Sequence, residues 1–269
     1  MTDPATKKTL STNRPAAFFS GAAIGTLGGL IGLGGAEFRL PLLIGPFGFA
    51  ALEAVILNKA MSLVVVAFAL PFRAATVPFD QIVMNWPIIV NLLAGSLAGA
   101  WLGAGWATRL KSETLYNVIA VLLLMIAAVL MFGHDIVAGS ALVSGTAQIV
   151  AGVVAGLIIG IVASLLGVAG GELLIPTLIL LFGADIKLAG SLSLAVSLPT
   201  MIVGFTRYSR DQSFAVIRRN RMFLAVMAAG SILGAFIGGQ LLGIAPSGVL
   251  LPGLALILVI SAIKVWRHA

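Results

Sequence analysis

Apolar residues run along this chain in unbroken stretches of about 20, the length that crosses a bilayer as helix. The stretches lie near 16–34, 53–72, 85–108 and 114–132 in the first half, and near 143–168, 186–206, 221–242 and 247–266 in the second. A transmembrane barrel strand would alternate apolar and polar at every second residue, so the pattern predicts helices. Each half also holds a shorter apolar stretch, near 36–50 and 171–183, which follows a double glycine and contains Pro41 or Pro176. With about 12 apolar residues rising 1.5 Å each, it covers ~18 Å of a hydrocarbon core ~30 Å thick. Such a segment is a half-helix or one arm of a re-entrant hairpin, tolerated at depth only where protein or a wet cavity satisfies its backbone.

The two halves resemble each other in sequence. Gly32–Pro41 reads GLGGAEFRLP and Gly167–Pro176 reads GVAGGELLIP; Ala94–Gly103 reads AGSLAGAWLG and Ala229–Gly238 reads AGSILGAFIG. Both matches fall at an offset of 135 residues, half the chain. The expected fold is an all-α polytopic membrane protein of two five-segment repeats, each with a short broken or re-entrant helix. The expected division is a cytoplasmic tail over 1–15, repeat 1 over 16–135, a linker and the start of the next helix over 136–149, and repeat 2 over 150–269. Internal duplication of this kind is a usual construction of secondary transporters, with the substrate site between the repeats.

Composition narrows the class. Hydrophobic residues make up 60% and charged residues 9%, with a mean hydropathy of +1.14; a soluble domain carries about 25% charged residues, so a soluble enzyme is excluded. There are no cysteines and only two histidines, His134 and His268, which removes disulfides, thiol catalysis and Cys/His metal sites; no cofactor or metal is expected. The net charge of +7 points to cytoplasmic loops of a membrane protein rather than to nucleic acid. The tail carries Lys7, Lys8 and Arg14, and the apolar run after it leads into the repeated motif, so it reads as a retained first helix rather than a signal peptide.

The loop after the third segment holds Arg73 and Asp80 in the first copy, but Arg207, Arg210, Arg218, Arg219 and Arg221 in the second. The loop after the fourth holds Arg109 and Lys111 in the first copy and no charge near 245–247 in the second. Equivalent loops with opposite bias predict inverted copies, each crossing three or five times, with both termini cytoplasmic; the alternative, parallel copies with four crossings each, would strand Arg109 and Lys111 outside. The arginines from 207 to 221 read as this topology signal. Trp86, Trp106 and Trp266 read as interfacial anchors, and Trp101 falls inside a segment.

Glu37 and Glu172 occupy the same place in both copies, at the start of the short segment. Ionisable residues at membrane depth are functional hypotheses by default. Two readings compete: a carboxylate meeting the positive end of a helix dipole, or a proton-titrating pair where the copies meet. If both short helices start near the midplane, their free N–H groups converge there and suit a small anion. The glycines at 95, 99 and 103, and at 230, 234 and 238, have the small-xxx-small spacing of close helix packing. Lys59 lies within the third segment and either snorkels to the surface or lends positive charge to an anion cavity. Asn58, Ser62, Gly190, Ser191, Ser193, Ser197 and Thr200 are polar or small on apolar segments; the hydroxyls bind substrate oxygens or bond back to their own helix. Arg39 has only Leu174 as counterpart, so it breaks the symmetry, and Glu37 or Glu53 is its expected partner if it does not read substrate.

At these two glycine–proline motifs the chain resembles the TauE/SafE family, also called the toluene sulfonate uptake permeases, over essentially its whole length. Ala36 and Ala169 stand where many members carry glycine. The resemblance implies a bacterial inner-membrane transporter of small sulfur-containing anions such as sulfite, thiosulfate or sulfonates. Together these readings predict alternating access around a site built from Gly34, Gly35, Ala36, Glu37, Arg39, Asn58, Lys59, Gly170, Gly171, Glu172, Ser191 and Ser193, with Glu37 and Glu172 carrying a coupled proton. The expected partners are a small anion and membrane lipid, not nucleic acid; the oligomeric state is left open. A passive anion channel is the alternative. An intramembrane enzyme lacks the nucleophile with a base, or the paired aspartates, that it would need.

Overall fold

In the computed structural model of the protein, residues 13–31, 35–73, 77–132 and 143–241 are described, with 256, 259–260, 262–263 and 265–267 near the end of the chain. In order the helices are α1 (Arg14–Ile31), α2 (Ala36–Ile44), α3 (Ala51–Arg73), α4 (Phe79–Met84), α5 (Trp86–Ala107), α6 (Ser112–Phe132), α7 (Gly145–Leu166), α8 (Gly171–Phe182), α9 (Ile186–Tyr208), α10 (Ala215–Arg219) and α11 (Arg221–Leu241). Among the described residues there is no strand. Most of the tenth expected segment, the N-terminal tail through residue 12 and residues 133–142 lie outside the described residues, as does Gly34.

Local chemistry sets the boundaries. Asn13 caps α1, its Oδ1 accepting the Ala16 N–H at 3.1 Å, and Pro15 follows at a first-turn position where its missing N–H costs nothing. Asp185 caps α9, accepting from the Lys187 and Leu188 N–H groups at 2.9 and 3.1 Å. Two short helices were not visible in the apolar pattern. Both α4 and α10 bury a single residue each, Ile82 and Val216, so neither has an apolar face long enough to show a period.

Five of the helices are long and apolar enough to cross a membrane, over Ala51–Ala69, Trp86–Ala107, Gly145–Leu166, Lys187–Tyr208 and Arg221–Gly238. The packing is that of a protein solvated by lipid. Val154, Ile158 and Phe236 stand about half exposed, while Glu37, Arg39, Asn58 and Lys59 are fully buried. In water that distribution would be inverted.

Two helix pairs hold the bundle, and both rest on the small-residue stripes. On α5, a Cβ at Gly95, Gly99 or Gly103 would run into the backbone carbonyl of Val153, Leu157 or Ile161 of α7. On α11, a Cβ at Gly230 or Gly234 would meet the carbonyl of Phe18 or Ala22 of α1, and Gly21 and Gly25 face Met227 and Ser231 in return. Backbones this close gain dispersion contact that lipid tails do not offer. Residue numbers rise together in both pairs, so α5 runs with α7 and α1 runs with α11. The Ser96–Thr200 bond and the Gly105–Arg207 contact give α5 and α9 a common direction as well.

The third helices run oppositely. Helix α3 packs on α10 and on the 3-10 turn Gln212–Phe214, both just past the end of α9. Further on, Lys59 reaches Gly204, and Leu63 and Val66 share a cluster with Leu194 and Met201. Phe47 and Phe49, just before α3, meet Phe223 near the start of α11 edge-on and tilted, at 4.9 and 5.4 Å between centroids. One face of the bundle therefore gathers the starts of α3 and α11 with the ends of α5 and α9.

Candidate functional site

The short helices begin at glycines because nothing else fits. Gly35 (φ 68°) and Gly170 (φ 84°) precede α2 and α8 in the left-handed region, where a Cβ would clash with the backbone. The chain can thus stop one helix and start another within a few residues. The two prolines then act on the first turn. Pro41 and Pro176 have no N–H to give to the carbonyl four residues back, and those carbonyls belong to Glu37 and Glu172. At nine and 12 residues, both helices are too short to cross a bilayer.

Asn58 of α3 joins the two breaks. Its Nδ2 donates to the carbonyl of Ala36, the first residue of α2, at 2.9 Å, and to that of Leu166, the last residue of α7, at 3.2 Å. The interruption in the first half and the interruption in the second are therefore neighbours. On the far side, Ser197 of α9 donates to the Ala169 carbonyl at 2.8 Å and fixes the second break.

Glu37 and Glu172 project from these tips and lie close enough to interact with each other electrostatically. Both are buried, and none of their four carboxylate oxygens has a hydrogen-bond partner. The N-cap residues are Gly35 and Gly170, which have no side chain to cap with, and the two acids stand in the first turns, where negative charge lies near a helix N-terminus.

Arg39 stands two residues after Glu37 and feels its charge, but its hydrogen bonds go elsewhere. Nη1 donates to Asn58 Oδ1 at 3.3 Å and Ser62 Oγ at 3.1 Å, Nη2 donates to Ser231 Oγ of α11 at 3.2 Å, and Nε has no partner. The expected pairing with an acid is replaced by a fork of neutral acceptors from two helices, with the Nε N–H left unpartnered.

Lys59 does not snorkel. It is fully buried, and its Nζ donates to the Ala163 carbonyl and Ser164 Oγ, each at 3.3 Å. Those groups close the C-terminal turn of α7, where the carbonyls of the dipole's negative end collect. Gly204 makes room for the stem: a Cβ there would stand 2.8 Å from Lys59 Cε. Tyr208 completes this corner, its hydroxyl donating to the Ser164 carbonyl at 2.8 Å. The Lys59 ammonium thus meets the carbonyl end of α7.

Of the other expected residues, Gly35, Ala36, Gly170 and Gly171 form the tips and are buried. Ser191 and Ser193 are buried on α9, but their hydroxyls bond back to Lys187 and Gly190 carbonyls of their own helix at 3.4 and 2.9 Å. Thr200 bonds to Val196 in the same way at 2.8 Å and also meets Ser96 Oγ at 2.7 Å. The residues sequence reasoning passed over are Ser96, Ser164, Tyr208 and Ser231. Ser96 and Ser231 did carry a signal, being the third residue of the repeated AGS motif in each half.

The arrangement offers buried donors (Arg39 Nε and the first-turn N–H groups of α2 and α8) and two buried carboxyl groups. Neither the curated proteins nor the solved structures gave a significant match. Residues 11–265, nearly the whole chain, match the family described as Sulfite exporter TauE/SafE, and the protein belongs to that family of membrane transporters.

Proposed function

We propose that the protein is a secondary transporter that carries a small sulfur-containing anion, such as sulfite, thiosulfate or a sulfonate, across the bacterial inner membrane together with protons. The observation that carries this reading is the facing pair Glu37 and Glu172, buried and without hydrogen-bond partners at the convergent tips of two short helices. Two like charges held side by side in a buried site repel, and an anion arriving there meets both. A proton on the pair turns a repelling acceptor set into a donor and an acceptor. Proton binding and anion binding then favour one another, which by linkage is the thermodynamic condition for moving them together. Arg39, whose buried Nε N–H has no partner, is the asymmetric donor; its counterpart Leu174 has none.

The membrane frame for this reading is a pair of inverted repeats. The helices 135 residues apart run oppositely in this account: α1 against α7, α3 against α9, α5 against α11. Support comes from the shared directions of α5 with α7 and α9, and of α1 with α11. The hairpins α1–α2 and α7–α8 then enter from opposite faces and meet at Asn58, as re-entrant elements lined by protein must. Arg109, Lys111, Arg207, Arg210, Arg218 and Arg219 fall on the face that collects the ends of α5 and α9, which is the cytoplasmic side by the positive-inside rule.

The test is uptake of labelled sulfite, thiosulfate and a sulfonate into proteoliposomes with an imposed pH gradient. Accumulation beyond the applied anion gradient, abolished by Glu37→Gln with Glu172→Gln, is the expected outcome. Flux that only dissipates the anion gradient, at the same rate with and without the pH difference, would instead identify a channel.

A further inference from the structure

A second charged site lies outside the bundle centre, where α5 of the first half and α9 of the second end side by side. A pocket of ≈ 120 Å³ opens there, lined by Trp101, Leu102, Gly105, Trp106, Arg109 and Arg207. Its floor and walls are aromatic or apolar and its rim is cationic. The guanidiniums of Arg207 and Arg210 both sit over the Trp101 ring, at 5.4 and 4.9 Å from its centroid. Two cations share one ring, and no acid lines the pocket; the nearest carboxylate in sequence, Asp211, accepts the Ser213 N–H on its Oδ1 at 2.8 Å. Gly105 lies against the Arg207 side chain, a Cβ there standing 3.4 Å from the guanidinium, an ordinary contact.

We infer that this pocket binds an anionic phospholipid, with the headgroup phosphate held between Arg109, Arg207 and Arg210 and the acyl chains lying on the exposed apolar surface of Leu102 and Ile202. The argument is charge and depth together. Cations stacked on a ring at the end of two spanning helices meet headgroups on one side and hydrocarbon on the other. Basic pockets between membrane helices on the cytoplasmic side are suited to acidic lipid headgroups. A water-soluble anion would make the phosphate contacts but would gain nothing from Leu102, Trp106 and Ile202. Because the pocket takes one wall from each half, a bound lipid bridges α5 and α9.

The experiment is thermal unfolding of delipidated protein in detergent with added phosphatidylglycerol, phosphatidylcholine or inorganic phosphate, backed by native mass spectrometry of retained lipid. Phosphatidylglycerol is expected to raise the unfolding temperature and stay bound as a single copy, with phosphatidylcholine and inorganic phosphate giving neither effect. Arg109→Gln with Arg207→Gln removes two positive charges near the surface and should weaken the phosphatidylglycerol effect roughly thirtyfold in concentration. Arg218→Gln with Arg219→Gln, which changes the same charge outside the pocket, should leave it intact. Equal stabilisation by inorganic phosphate, equal stabilisation by phosphatidylcholine, or equal weakening by both double substitutions overturns the proposal. If the pocket variant does not fold, the lipid comparison on the unmodified protein decides.

Discussion

Replacing Asn58 by alanine removes three hydrogen bonds at once: those to the Ala36 and Leu166 carbonyls at 2.9 and 3.2 Å, and the one accepted from Arg39 at 3.3 Å. Between membrane helices a hydrogen bond contributes on average about 0.6 kcal/mol, so the three set a floor near ~2 kcal/mol. A guanidinium N–H left buried and unpaired adds about 1–3 kcal/mol. A cost of roughly 3–5 kcal/mol is therefore expected, more than about a hundredfold in the folding equilibrium. Asn58→Asp keeps the acceptor for Arg39 and loses both donations, and should fall between. The control is Ser193→Ala, at the position 135 residues on, whose hydroxyl bonds back to Gly190 of its own helix and should cost under about 1 kcal/mol. The assay is equilibrium unfolding in mixed micelles with rising dodecyl sulfate, followed by tryptophan fluorescence. If Asn58→Ala costs no more than Ser193→Ala, Asn58 does not join the two breaks and the reasoning fails.

Further consequences concern packing, charge and coupling. Gly99→Leu and Gly234→Leu drive a side chain into the carbonyls of Leu157 and Ala22 and should abolish the folded form, as measured by size-exclusion chromatography of the solubilised protein, whereas Gly105→Ala meets only the Arg207 side chain and should fold. Lys59→Met replaces a buried cation by an apolar side chain of similar length and should leave thermal stability within about 1 kcal/mol or raise it; Lys59→Glu places a negative charge against the negative end of α7 and should unfold the protein. Arg39→Lys cannot reach Asn58, Ser62 and Ser231 with one ammonium in the geometry of a planar fork, and should lower transport while leaving the protein folded by circular dichroism. Initial uptake should rise as the pH on the substrate side falls, since the proton travels with the anion, and Glu37→Gln with Glu172→Gln should flatten that dependence.

Much of this architecture is written in local pattern. Continuous apolar runs gave the long helices within a few residues, and the double glycine followed by proline marked the two interruptions, because a left-handed turn and a missing N–H are properties of single residues. The small-residue stripes were legible as packing surfaces, but not their partners: that α5 embraces α7 of the other half, rather than a neighbour in sequence, depends on long-range topology. The site was legible in its acids and less so in its cations. Arg39 and Lys59 stood out as charges in apolar segments, yet their partners are Ser231, 192 residues away, and the end of α7, 104 residues away. No local pattern states such a register. Ser191 and Ser193 show the converse, since a hydroxyl on an apolar helix looks the same whether it faces a substrate or its own preceding turn.

The central claim is that the two helix breaks, one from each half, meet inside the membrane with their acids facing. Because the chain has no cysteine of its own, Glu37→Cys with Glu172→Cys gives a clean test in reconstituted protein. A short, lipid-permeant bismaleimide is expected to link the two positions within one chain, at a yield independent of protein concentration, with neither single variant linking. Failure to link, while both cysteines react freely with a bulky impermeant maleimide added from one side, would place the tips apart in open solvent and contradict the account.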